Sequence, residues 1–289
     1  MNILKQNTII YILAIMLMAF VFYACDDGND NSQTKTFIVT FNAGNGSVPT
    51  TQTITEGDKA VRPIDPIKIG YECKFIGWFK EADLTNAWDF DTNTVNGNIT
   101  LYAKWRSYDI GEIGPGEGVI YYRTSDGFII TDNNSTAFYL EASPNDMLTK
   151  LTWASSIFWP ESFGGTGSWQ KIGTEETAIG TGRKNTALIL ATDNDAPAAK
   201  TCINYNGGNL NDWFLPSKDE LNLLYNSKNY FGNLEEGVYY SSSENETMLS
   251  MVWSQNFGTG DQYYTRKGGH NSQNISELYL YSVRAIRAF

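Results

Sequence analysis

The side chains that most often carry chemistry are scarce in this sequence. His270 is its single histidine, set in the glycine-rich stretch RKGGHNSQN. Zinc sites of the His-Glu-x-x-His kind and iron facial triads each need two histidines, so the count alone excludes them. A serine nucleophile of the hydrolase type sits on a Gly-x-Ser-x-Gly elbow, and none occurs here; His270 reads as a solvated loop residue. A glycosidase needs only two carboxylates, yet among 32 acidic residues no pair stands out. The glycine-rich runs GPGEG (114–118) and GTGRKNT (180–186) lack the Gly-Lys-Ser/Thr ending of a phosphate loop. No cofactor is expected, and the sequence points away from catalysis.

Two groupings remain. In TDNDAP (192–197), Asp193 and Asp195 are hard-oxygen candidates for calcium. They lack EF-hand spacing, and Asp195 would serve equally as the N-cap of a helix beginning at Ala196-Pro197. In TGDQYYTRKGGHNSQN (259–274), Asp261, Gln262, Tyr263 and Tyr264 form a polar, aromatic, glycine-rich loop. Rings stack and amides orient, so these four suit recognition of a glycan or an extracellular protein. The plainer alternative is that one tyrosine belongs to the core and the rest is a solvated hairpin.

The elements that must position these residues are legible in part. In NDWFLPSKDELNLLY (211–225), Ser217 and Glu220 have capping-box spacing, and Leu221, Leu224 and Tyr225 follow at i, i+3 and i+4. Every residue of this dense stretch has a structural task, so it marks a fold rather than a reaction centre. Residues 182–206 read as a helix in two pieces, GEGVIYYRTSDGFIIT as two short strands around a Ser-Asp-Gly turn, and TAFYLEASP as a third. Arg284 and Arg287 fall on opposite faces of the presumed last strand. One of them is expected to be buried against a carboxylate, Glu220 or Glu244, unless both lie at an exposed edge.

Composition narrows the class. Aromatic residues make up 14% and charged residues 18%, with 26 glycines, which suits aromatic-rich β structure with many turns. A net charge of −11 argues against nucleic acid as a partner. At the N-terminus, the 16 apolar residues from Ile9 to Ala24 end at Cys25 and give way at once to CDDGNDNSQTK. A spanning helix needs about 20 apolar residues, so the run has the length of a signal-peptide core. The cysteine at its end resembles the lipobox of bacterial lipoproteins. That resemblance implies cleavage after residue 24, lipidation of Cys25, and a flexible linker over 25–35. It also implies a membrane partner through the lipid anchor, in a cell envelope, at the outer membrane or cell surface.

Beyond the linker, VTFNAGNG, GY…FIGWF, WDFDTNTV and ITLYAKW are similar, in that order, to the internalin B-repeat (36–106). The resemblance implies a small β-grasp-like spacer or adhesion module, with Trp78, Phe79, Trp88, Phe90 and Trp105 as core aromatics. From residue 107 to 289, DWFLPSKDELNLLY, YYSSSE, WSQNFGTGDQ and VRAIRAF resemble the Lcl C-terminal domain family. It implies a C-type-lectin-like fold related to formylglycine-generating enzymes. Those enzymes work through paired cysteines in one domain. Here Cys73 and Cys202 fall in different domains and read as small apolar side chains, although an export context permits a disulfide. The fold class expected is therefore α+β: a small, mostly-β, β-grasp-like domain, then a C-type-lectin-like α+β domain. The function expected is adhesion or recognition at the bacterial surface. A purely structural envelope role is one rival, and a glycosidase-type enzyme on the lectin-like fold another.

Overall fold

Alternation of inward- and outward-facing side chains in β1 starts the first sheet. A computed structural model describes residues 33–289 apart from 148, 149, 269, 272, 273 and 279. In β1 (Thr36–Asn42), Val39 and Phe41 are buried while Ile38 faces outward, as a period of two requires. β1 pairs antiparallel with β2 (Thr50–Thr55) and parallel with β4 (Ile99–Arg106), and β3 (Lys74–Phe79) closes the sheet against β4. The spatial order is β2-β1-β4-β3. Gly44 and Gly46 turn the chain out of β1 with φ of +59° and +86°, a region glycine enters without steric cost. Val39, Phe41, Leu101 and Ala103 meet Trp78, Trp88 and Val95 in a core of their own. Of the aromatics expected there, Trp78, Phe79 and Trp88 are buried, whereas Phe90 and Trp105 pack at the margin.

The remaining chain is sheet-rich with three α-helices among the described residues. β5 (Val119–Ile130), β6 (Ser135–Ala142) and β12 (Ile286–Ala288) form one sheet, in the order β12-β6-β5. β7 (Val238–Glu244), β8 (Met251–Asn256) and β9 (Gln262–Arg266) form another, and β10 (His270–Asn271) pairs with β11 (Asn274–Leu278). The helices are α1 (Gly182–Thr192), α2 (Pro197–Ile203) and α3 (Lys218–Asn226), so residues 182–206 are helical in two pieces as expected. VIYYRTSDGFII departs from expectation. It is one 12-residue strand whose register shifts between Arg123 and Phe128, the TSDG residues bulging instead of turning.

The DWFLPSKDELNLLY stretch has no fully exposed residue, and Trp213 to Ser217 are buried without a break. Ser217 Oγ accepts from the Glu220 N–H at 3.3 Å, and Glu220 Oε2 accepts from the Ser217 N–H at 2.8 Å, completing the capping box of α3. Trp213, Leu215 and Tyr240 join the core beneath α1 and α2, while Phe214, Leu221 and Leu224 join the one beneath α3. The second core is completed by Tyr121, Leu140 and Ile286. The helix cap expected at Asp195 is absent: Ala196 holds the N-cap position of α2, with Pro197 following. Asp195 instead pairs with Lys200 at 2.6 Å.

Both arginines near the C-terminus are buried, and their partners differ from those expected. Arg287 stands in β12 opposite Glu141 of β6, its register partner. Its Nη1 bonds Glu141 at 2.5 Å, and Nε and Nη2 hold both oxygens of Asp212 at 2.8 and 2.9 Å. Arg284, 0% exposed, lies 3.2 Å from Asp146, with its guanidinium 5.2 Å from the centre of the Phe231 ring. Glu220 and Glu244 lie elsewhere, because the closing strand pairs with β6 and so meets that strand's acid. The GPGEG turn wraps the same carboxylate: a Cβ at Gly114 would stand 2.2 Å, and one at Gly116 2.6 Å, from its oxygens. The Gly116 N–H donates to Glu141 at 2.9 Å, so the anion this glycine run cradles is the protein's own side chain.

Residues 36–289 form one compact unit. Tyr71, just before β3, stacks on Tyr139 of β6 with ring planes 4° apart and accepts the Tyr139 hydroxyl proton at its carbonyl. Phe289 stacks on the same ring at 5.1 Å. Arg106 clamps Glu112 through two bonds of 2.9 and 2.5 Å and holds its carboxyl at about 2.

Burial pushes the Glu220 carboxyl up to about 7 from an ordinary 4.5, against the N–H groups of Ser217 and Gly180. The folded state therefore binds the proton more tightly than the unfolded chain. The stabilisation is complete below about 4.5 and is lost as pH rises through about 7. At most about 3 kcal/mol is at stake. Urea denaturation from pH 4 to 8 should show stability falling over that window, and Glu220→Gln should flatten the fall. Ser217→Ala should cost about 1 kcal/mol.

Candidate ligand-binding surface

The polar stretch expected to be a long loop is mostly strand. Asn256 opens the turn between β8 and β9 by accepting the N–H groups of Gly258 and Thr259 at 2.8 and 3.2 Å. Asp261 closes it, its carboxylate accepting from the Thr259 hydroxyl at 2.8 Å. Gly260 is required there, since its φ is +88° and a Cβ would stand 2.6 Å from the Tyr225 hydroxyl. Beyond the turn, QYYTR pairs residue for residue with β8: Gln262 with Gln255, Tyr263 with Ser254, Tyr264 with Trp253. Three consecutive aromatic and β-branched residues favour a pleated strand over a loop.

Strand geometry then separates the candidates. Consecutive side chains point to opposite faces, so Tyr263 and Tyr264 cannot act as one patch. Each is 38% exposed, so neither is the buried core tyrosine of the plainer alternative. Tyr263 lies on the face where the Ser254 and Thr265 hydroxyls bond at 2.6 Å. Tyr264 lies on the other face and packs on Trp253, with ring centres 4.1 Å apart and planes tilted by 44°. The Lys218 ammonium, in the first turn of α3, stands 4.1 Å from the centre of the Trp253 ring. Gln262 shares this face and donates to the Lys218 carbonyl at 3.0 Å. The structure thus joins Gln262 and Tyr264, moves Tyr263 to the reverse side, and leaves Asp261 to the turn. Sequence reading missed Trp253 and Lys218. Counting back across the hairpin from the GTGD turn would have found Trp253, whereas nothing local signals Lys218.

A buried ion pair anchors the end of β9. Lys267, 1% exposed, contacts the Glu244 carboxylate and donates to the Gln170 carbonyl at 2.7 Å. Glu244 also accepts the N–H groups of Ile172, Gly173 and Thr174 at 2.7–3.0 Å. Burial alone would raise its carboxyl; Lys267 and these N–H groups hold it below its usual range. The aromatic pair is therefore carried on a strand whose C-terminal end is pinned to the 170–174 segment.

The other candidate groups are committed to structural bonds or lie outside the described residues. Asp193 is buried and accepts the N–H groups of Ser155 and Asp195 at 2.7 and 3.3 Å, while Asp195 pairs with Lys200. Among the described residues, no three His, Cys, Asp or Glu side chains converge as a metal site. The hydroxyls of Ser241, Ser242 and Ser243 each donate to a backbone carbonyl, those of Trp253, Pro216 and Glu176. Cys73 and Cys202 are both free thiols; burial raises both, with Cys202 inside the core beneath α2. The backbone of His270 lies in β10. Cys25, together with the apolar run before it, lies outside the described residues.

Comparison with known proteins identifies the first sheet. Residues 37–104 match the Listeria-Bacteroides repeat domain, so the bacterial repeat module expected at 36–106 is present. Two proteins of Evansella cellulosilytica are similar in part. One, named only as a Gly-rich membrane protein, is 41% identical over 69 residues, which is 24% of this chain and 8% of that protein. Another, named only as a membrane protein, is 33% identical over 99 residues, which is 33% of this chain and 15% of that protein. The chain therefore spans under a sixth of the length of either relative. Among the described residues, no helix is long and apolar enough to cross a membrane.

Removing one member of a buried ion pair strands the other's charge and typically costs 3–5 kcal/mol. Glu244→Ala should destabilise the protein by about that amount in chemical denaturation. Replacing both partners, as in Glu244→Gln with Lys267→Met, should recover most of the loss.

Proposed function

We propose that this chain is a cell-envelope lipoprotein that recognises glycan or protein ligands at the bacterial surface without catalysing a reaction. In this reading residues 1–24 are a signal peptide and Cys25 carries the lipid. The repeat at 36–106 is a β-grasp-like spacer, and residues 107–289 form a C-type-lectin-like domain of the Lcl C-terminal kind. The parallel β1–β4 pairing at the centre of a four-stranded sheet supports the β-grasp reading. The packing of α1, α2 and α3 on small sheets supports the α+β lectin-like one. The membrane names of the two partly similar proteins support placement at the envelope.

One observation carries the recognition role: the half-exposed Trp253–Tyr264 pair, flanked by the Gln262 carboxamide and the Lys218 ammonium. A tilted pair of rings offers apolar faces for a sugar ring, with an amide and a cation at its edge to orient hydroxyls or a carboxylate. The ordinary roles already filled by Glu220, Glu244, Glu141 and the Ser241–Ser243 hydroxyls support a non-catalytic reading.

The test is a glycan and matrix-protein binding screen with residues 36–289, run with calcium and with chelator. Saturable binding that weakens about tenfold or more with Tyr264→Ala or Trp253→Ala, and much less with Tyr263→Ala, is the expected result. A blank from protein shown to be folded would favour a structural envelope role instead.

A further inference from the structure

The segment between β2 and β3 carries a row of exposed apolar side chains. It reads VRPIDPIKI, and Val61, Ile64, Ile67 and Ile69 are 71–96% exposed. Pro63 and Pro66 fix their own φ and push Arg62 and Asp65 into extended conformations. That favours a left-handed polyproline ribbon with three residues per turn. A spacing of three sets Val61, Ile64 and Ile67 along one line, while Pro63 and Pro66 are half-buried. The line is about 19 Å long at about 3.1 Å per residue. The ribbon is tied along β2, the edge strand: Gln52 exchanges two bonds with the Val61 backbone at 2.7 and 2.9 Å, and Asn45 donates to the Ile67 carbonyl at 2.8 Å. Val48, 85% exposed, lies three residues beyond Asn45 in sequence. Single exposed apolar residues are ordinary, but a line of three beside one sheet edge, with Ile69 and Val48 also exposed, marks a contact surface.

We propose that this ridge seats on the lipid surface to which the chain is tethered, an inference that rests on the reading of Cys25 as the lipidated residue. Thr36 is the register partner of Thr55 in β2, so the tether leaves the sheet beside the edge that the ridge covers. Only 10 residues separate Cys25 from Thr36, a reach of at most about 40 Å when fully extended. The sheet is thereby confined within roughly its own dimensions of the bilayer. Charge allows the approach. From residue 56 to 69, Lys59, Arg62 and Lys68 balance Glu56, Asp58 and Asp65, so the ridge is a neutral side of a chain whose net charge is −11. A second copy of the chain fits less well. Two convex ridges one residue wide bury little of the roughly 800 Å² per partner that a stable interface needs. A lipid headgroup layer deforms around such a ridge and admits the isoleucine side chains.

The test is co-sedimentation of residues 36–289, which lack Cys25, with vesicles of equimolar phosphatidylcholine and phosphatidylglycerol. The expected result is measurable partitioning that falls about tenfold or more in the Ile64→Asp/Ile67→Asp variant, with the urea midpoint unchanged. Wild-type protein staying in the supernatant, or the variant sedimenting like wild type, would overturn the proposal. So would a dimer in sedimentation velocity that the variant abolishes, since the ridge would then bind a second copy. Fractionation of the full chain with Cys25→Ser reports on the tether separately, so failure of the tether and failure of the ridge are distinguishable.

Discussion

The pairing of Arg287 with Glu141 and Asp212 ties together three segments distant in sequence. β12 is only three residues long, too short for its ladder bonds alone to fix its register firmly. Its guanidinium supplies what the short ladder lacks: a planar fork satisfied by one carboxylate across the sheet and a second just ahead of Trp213. Glu141 in turn dictates the sequence around it. Gly114, Gly116 and Gly118 are glycines because the carboxylate, the Trp213 ring and the Ala142 carbonyl leave no room for a Cβ. Burying such charges is expensive, and the arrangement persists because two carboxylates meet the guanidinium and the Gly116 N–H also meets Glu141.

Carboxylates that accept backbone N–H groups recur through the interior. Glu220 closes the start of α3 and binds the Gly180 N–H, Glu244 gathers the 172–174 backbone with Lys267, and Asp193 binds Ser155. Each acid stitches an irregular segment to a strand or helix, where buried backbone groups would otherwise lack partners. Long connections lie between short elements, so polar staples take over work that regular ladders do elsewhere. Glu220, Glu244 and Asp193 are thereby committed to structural bonds, and two exposed features stand apart from them.

Those features are of two kinds, on different elements. The Trp253–Tyr264 pair rides on a strand backed by buried hydroxyls and fixed at its end by Lys267. The Val61–Ile69 segment lies along the edge of the repeat sheet, held there by the Gln52 side chain. The two features therefore lie on separate sheets, one in the repeat and one beyond it.

Local rules were sufficient for much of this. The β1 alternation, the two-piece helix at 182–206 and the Ser217–Glu220 box follow from spacing alone, because each is set by contacts within a few residues. The ordered aromatic motifs of the repeat likewise located the first sheet. What only the tertiary structure decided involves residues distant in sequence. TSDG bulges instead of turning because β6 offers partners on both sides of it. Arg287 meets Glu141 and not Glu244 because β12 pairs with β6 and not with β7. Tyr263 and Tyr264, adjacent in sequence and grouped as one patch, are split between two faces once β8 draws them into a strand. Lys218 reaches Trp253 only because α3 packs over β8. Side-chain type and spacing name the residues able to bind; strand pairing, a long-range choice made by burial, decides which of them stand together.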